Sequence, residues 1–119
     1  MRLEGRTIPL AACNPRLYDA KWATTADFAN AMGVQFDCPG CKLAGRKNHR
    51  LAMNFKGRSE HPSWWNPGGS TSLADLTFVD DGGGHTRSLR VLGDGEHLCR
   101  SHFNITNGVV DFYHDAEAP

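Results

Sequence analysis

The chain has 119 residues, a hydrophobic fraction of 39%, 13 glycines, and 13 basic side chains balanced by 13 acidic ones. That length fits one domain with a modest core, small enough for a bound metal to add materially to its stability. A formal net charge of zero argues against a generic polyanion or membrane-surface binder, and the glycine content favours short strands and turns over a helical bundle.

The opening Met1-Arg2-Leu3-Glu4-Gly5-Arg6 lacks the apolar core of a signal peptide, and no apolar run reaches membrane-spanning length. A cytoplasmic setting with reduced thiols is therefore expected, with no membrane partner. Leu3, Ile8 and Leu10 suit a short edge strand interrupted by Pro9. Cys13 has no nearby ligand partner and reads as a small buried residue. Asn14-Pro15 resembles a cap followed by a first-turn proline, which predicts a helix reaching Trp22. A second short helix is expected from Thr24 to Gly33, with Phe28 and Met32 on its buried face. Val34 and Phe36 then alternate with polar residues as a strand, and Leu51, Met53 and Phe55 form the apolar face of another.

Between those strands lies Cys38-Pro39-Gly40-Cys41, and far downstream Cys99-Arg100-Ser101-His102 repeats the spacing. Two ligands separated by two residues can be aimed at one ion by a tight turn, for which Gly40 would supply the backbone freedom. Cys38, Cys41, Cys99 and His102 thus make a Cys₃His set suited to Zn²⁺, with no open coordination position. The bland alternatives are a disulfide or a Cys38–Cys41 redox pair, neither of which explains the second half-site.

After the first half-site come Lys42, Arg46, Lys47, Arg50, Lys56 and Arg58, with His49 among them and no acid. They are either a phosphate-binding patch or a solvated face, and the zero net charge favours the latter. His49, His61, His85 and His114 are scattered on polar stretches and are expected at the surface. Trp64 and Trp65 sit in a turn-rich segment, either covering the core or contacting a protein partner. Leu73 to Val79 and Ser88 to Leu92 read as strands, separated by the glycine-rich stretch 80–84. Asn107-Gly108 between two apolar alternations signals a type I′ hairpin, with Phe103 opposite Phe112, Ile105 opposite Val110, and His102 on the other face. The tail after His114 has no periodicity and is expected to fray.

The ordered motifs Phe36-Asp37-Cys38-Pro39-x-Cys41, Trp65 with Gly68-Gly69-Ser70, Leu73-x-Asp75-Leu76-Thr77, Ser88-Leu89-Arg90, and Cys99-x-x-His102-Phe103-x-Ile105-x-Asn107-Gly108-x-Val110 resemble a group of small phage and prophage proteins. These often carry the label ammonia monooxygenase, which no motif here supports. The resemblance spans roughly residues 34 to 112. It implies a phage or prophage origin, an intracellular setting, and a shared zinc site at Cys38, Cys41, Cys99 and His102.

The resulting expectation is an α+β, β-rich domain: a zinc-stapled antiparallel sheet with a C-terminal hairpin and one or two short N-terminal helices. Residues 1–33 would form a helical extension packed on the core, 34–113 the zinc-binding core, and 114–119 a frayed tail. The expected role is non-catalytic binding of a host or phage protein through Trp64 and Trp65. Nucleic-acid binding through Lys42, Arg46, Lys47 and Arg50 is the alternative. A zinc hydrolase, with Asp94, Glu96 or His97 supplying acid–base chemistry, is a second alternative.

Overall fold

Alternating apolar residues build two antiparallel sheets in the computed structural model, which describes residues 1–60, 62–80, 87–93 and 99–119. His61, His85, the stretch 81–84, and Asp94, Glu96 and His97 lie outside the described residues. One sheet has the order β1 (Thr7–Pro9), β7 (Val109–Phe112), β6 (Arg100–Thr106), β5 (Leu89–Leu92). The other is β2 (Arg16–Tyr18), β3 (Gly33–Asp37), β4 (Arg50–Asn54). A short helix α1 (Pro39–Leu43) and 3-10 turns at Leu10–Cys13, Phe28–Asn30 and Leu73–Asp75 complete the elements of the described residues. The α+β, strand-rich class expected from composition is the one observed.

Both sheets turn their apolar faces into one core. Leu17, Val34, Phe36 and Met53 enter from the three-stranded sheet, and Ile8, Leu89, Phe103, Ile105, Val110 and Phe112 from the four-stranded one. Phe36 meets Phe103 edge-on, with ring centroids 6.3 Å apart, so the two sheets touch through an aromatic pair of favourable geometry. Burial of side chains of this size is the main favourable term in folding a domain this small.

The C-terminal hairpin has the register that its sequence predicts: Phe103 faces Phe112 and Ile105 faces Val110. Asn107 and Gly108 both have positive φ, at 49° and 70°, as a type I′ turn requires. Gly108 is needed on a second ground, since a Cβ there would lie 2.6 Å from the Ala74 carbonyl oxygen.

The first 33 residues differ from expectation. In place of a helix after Asn14, β2 pairs with β3, Leu17 opposite Val34. Asn14 takes a left-handed φ of 50° that ends the preceding 3-10 turn. The Asp19 carboxylate then accepts from the Lys21 and Ala23 N–H groups, closing a turn where a helix would have run on. Only the 3-10 turn Phe28–Asn30 survives of the second expected helix, because Gly33 opens β3 instead of ending a helix. Residues 1–33 therefore supply β1 to one sheet and β2 to the other, so they are not a helical extension. Leu73–Asp75, expected as strand, is a 3-10 turn closed by a Ser72–Asp75 capping box.

The tail does not fray. Glu117 bridges to Arg2 and Arg100, the Leu3 N–H donates to the Ala116 carbonyl at 3.1 Å, and Ala116 and Ala118 are buried. Two small side chains leave no apolar period to read, yet they fill space against the first strand region. No helix of the described residues is long and apolar enough to cross a membrane.

Gly108→Val should lower unfolding stability by about 1–3 kcal/mol, through left-handed strain and the Ala74 contact. Phe112→Ala should lower it by about 3 kcal/mol or more. Chemical denaturation of both variants checks the pair; wild-type stability in either would contradict the hairpin packing described here.

Candidate metal centre

The centre forms where the end of β3, helix α1 and the start of β4 meet the start of β6. β3 ends at Asp37, and Cys38 follows as the cap of α1 with Pro39 in the first helical turn. One helical turn carries Cys41 back beside Cys38. Gly40 acts here through its size and not through a left-handed backbone: a Cβ would overlap Ser101 Oγ and press on Leu3. The absence of that Cβ lets α1 approach β6 closely enough to share a site.

The β3–β4 ladder supplies the next donor. Its register pairs Asp37 with Arg50, and one step further the Cys38 N–H donates to the His49 carbonyl at 2.8 Å. His49 is thereby held directly across from Cys38. Cys99 immediately precedes β6 and enters from the other sheet.

Cys38, Cys41, His49 and Cys99 present donor atoms that all lie within 4.8 Å of one another. The Cys38 and Cys99 sulfurs are 3.8 Å apart, and His49 Nδ1 lies 3.3 Å from Cys41 Sγ and 3.5 Å from Cys99 Sγ. A tetrahedral ion with bonds of about 2.3 Å to sulfur and 2.0–2.1 Å to nitrogen would hold its sulfurs about 3.8 Å apart and a sulfur and nitrogen about 3.6 Å apart. The donor set fits such an ion, and the four cysteines, Cys13 included, are free thiols and not disulfides.

His102, expected as the fourth ligand, stands elsewhere. Cys99 leads into an extended strand, not a turn, and along a strand positions three apart face opposite sides. Ser101 and Phe103 point inward while His102 points outward, where its Nδ1 pairs with Asp115 Oδ1 at 2.8 Å. His49, expected at the surface, takes its place.

Outer groups orient the donors. The buried Ser101 hydroxyl lies 3.2 Å from Cys38 Sγ and can donate to a thiolate there. Burial pushes the Cys38 thiol up, against hydrogen bonds from Ser101 and the Cys41 N–H. Burial also raises Cys41, and the neighbouring Cys38 and Cys99 add to the effect. Without a cation these sulfurs are thiols at neutral pH. Cys13 lies apart in the core, pushed up to about 11 by burial and then by the Asp37 charge, as befits an inert small residue.

The basic residues near the centre are partly neutralised. Lys42 and Arg50 share the Asp37 carboxylate at 3.7 and 3.1 Å, whereas Arg46 and Lys47 line a cavity of about 270 Å³ beside His49. Burial alone would raise Asp37, but hydrogen bonds from Asn14 and Arg50, with the Arg50 and Lys42 charges, hold it below the usual carboxylate range. Trp65 packs against the core and its indole nitrogen is buried, while Trp64 is 46% exposed. Trp22 is more exposed still, at 56%, and stacks on Tyr18 with centroids 4.8 Å apart; no periodic signal marked it out.

Compared with protein-family models, with curated proteins and with solved structures, the chain matches none.

His49→Ala should weaken metal binding by more than the 10–100-fold typical of outer-shell changes, Ser101→Ala should fall at roughly that level, and His102→Ala should leave it near wild type. Competition with a chromophoric chelator measures all three. The reverse order for the two histidines would contradict the site.

Proposed function

We propose that this chain is a small zinc-binding module whose ion is structural, and that it acts by binding a host or phage protein in the cytoplasm of an infected or lysogenic cell. The observation that carries the metal reading is the match between the spacing of the four donors and a tetrahedral S₃N shell. Three thiolates and one imidazole suit Zn²⁺ above harder divalent ions, and four protein ligands leave no position for a substrate. When bound, the ion supplies cross-linking of the two sheets; Cys38, Cys41 and His49 would hold it from one side and Cys99 from the other.

The protein-binding part of the reading is supported by exposed tryptophans, the residue type most enriched at interface anchors. Trp64 remains a candidate, Trp65 serves chiefly as a cover for the core, and Trp22 joins as a further candidate. Nucleic-acid binding is less well supported, because Asp37 occupies two of the four cations proposed for it. The phage or prophage setting rests on the motif resemblance alone.

Purified protein should contain one zinc per chain, and a strong chelator should sharply lower its thermal midpoint, since ligation energy in such domains is folding energy. A fully folded, metal-free chain would contradict the proposal. Because the thiols raised by burial must lose their protons to ligate, zinc uptake should release protons, and apparent affinity should fall as pH is lowered. Titration in weak buffer with a pH indicator reads this directly; uptake without proton release would place the ion on other ligands.

A further inference from the structure

The outer face of the β5–β6 ladder carries a second cluster, remote in chemistry from the thiols. The register sets Arg90 opposite His102 and Leu92 opposite Arg100, so these four side chains share one side of the sheet, away from Leu89 and Phe103 in the core. The C-terminal tail folds beside this face. Tyr113 N–H donates to the His102 carbonyl at 2.8 Å, and Glu117 exchanges two backbone hydrogen bonds with Arg100 at 2.8 and 2.9 Å. Asp115 is thereby carried over the sheet, with Oδ1 2.8 Å from His102 Nδ1 and Oδ2 3.2 Å from Arg90 Nη2.

The arrangement differs from a casual surface ion pair in three respects. The His102 side chain is only 15% exposed, with its ring stacked on Tyr113 at 4.1 Å between centroids, so its orientation is set. With Nδ1 committed to Asp115, Nε2 is left without a hydrogen-bond partner among the described residues. The Arg100 guanidinium likewise has no acidic partner among the described residues, while Arg90 is only partly neutralised by Asp115. Arg90, Leu92, Arg100, His102 and Asp115 together line a cavity of about 260 Å³.

We infer that this cavity is a binding site for a phosphate group, free or as a phosphomonoester. Guanidinium groups match the oxygen geometry of phosphate and make charge-assisted hydrogen bonds to it. A neutral His102 offers an Nε2 lone pair to the P–OH of a monoprotonated phosphate, and a protonated His102 offers an N–H to a phosphoryl oxygen. Asp115 sets the tautomer, as an orienting carboxylate does for other functional imidazoles, and so acts as a positioning residue. The exposed Leu92 at the rim gives an apolar contact for the organic part of a phosphomonoester.

The test uses the full, zinc-loaded chain with ¹³C-labelled histidine, titrated at constant ionic strength with inorganic phosphate, with glycerol phosphate, and with chloride. Phosphate or the monoester should shift the His102 ring resonances saturably, and whichever binds more tightly identifies the source of the group. Arg100→Gln alters an exposed side chain and should keep zinc content and fold while weakening binding about tenfold or more, the worth of one charge-assisted hydrogen bond. Asp115→Asn should move the His102 resonances before any ligand is added, as expected if Asp115 orients that ring. Equal shifts with chloride, no saturable shift with either phosphate, or wild-type affinity in Arg100→Gln would each overturn the inference.

Discussion

Three thiols and an imidazole brought together at the seam of two sheets are the constraint on which the rest of the structure depends. As thiols they are weakly polar and add little to the core. As thiolates without a cation they would repel one another in a site nearly closed to water. A divalent ion would resolve the conflict. Its binding energy in comparable sites, about 10–16 kcal/mol, is as large as the whole stability of a typical domain, about 5–15 kcal/mol. With an ion bound, helix α1, the β3–β4 turn and the entry to β6 would be coupled, since moving any one of them would separate donors that now lie within 4.8 Å of one another. The small residues around the centre serve the same coupling. Gly40 lets α1 approach β6, and Ser101 uses that approach to place a hydroxyl against Cys38.

What was legible in the sequence follows the range of the interaction involved. The Cys38–Cys41 half-site and the Asn107–Gly108 hairpin are local, set by a helical turn and a two-residue loop, and both stand where their residues indicate. Cys99 was legible as a ligand through its two-residue spacing from His102, although only the cysteine of that pair joins the cluster. His49 was not, because its claim rests on the β3–β4 register, which places it across from Cys38 only once the strands are paired. A signal for it did exist: His49 stands two residues before Leu51, which opens one alternating apolar run, and Cys38 stands two residues after Phe36, which ends the other. The spacing of Cys99 and His102 imitates a ligand knuckle, but the hairpin alternation already places His102 on the face opposite Phe103. Counting back two residues at a time from Phe103 gives Ser101 and Cys99, so the period of the strand excludes the motif.

The N-terminal region and the tail illustrate a different limit. Asn14-Pro15 favours a helix start by local preference, yet β2 gains more by pairing with β3 and burying Leu17, and tertiary packing prevails over a weak propensity. Ala116 and Ala118 carry too little side chain to register as a core segment, although the pairing of Glu117 with Arg100 anchors them. That anchoring also brings Asp115 to the outward-facing His102.

Crystals of the purified chain, with diffraction data collected on either side of the zinc absorption edge, test the central claim most directly. The account predicts a single anomalous peak within bonding distance of the Cys38, Cys41 and Cys99 sulfurs and of His49 Nδ1, about 2.3 Å from each sulfur and 2.0–2.1 Å from the nitrogen. A peak ligated by His102, or no metal at the four donors in fully folded protein, would contradict it.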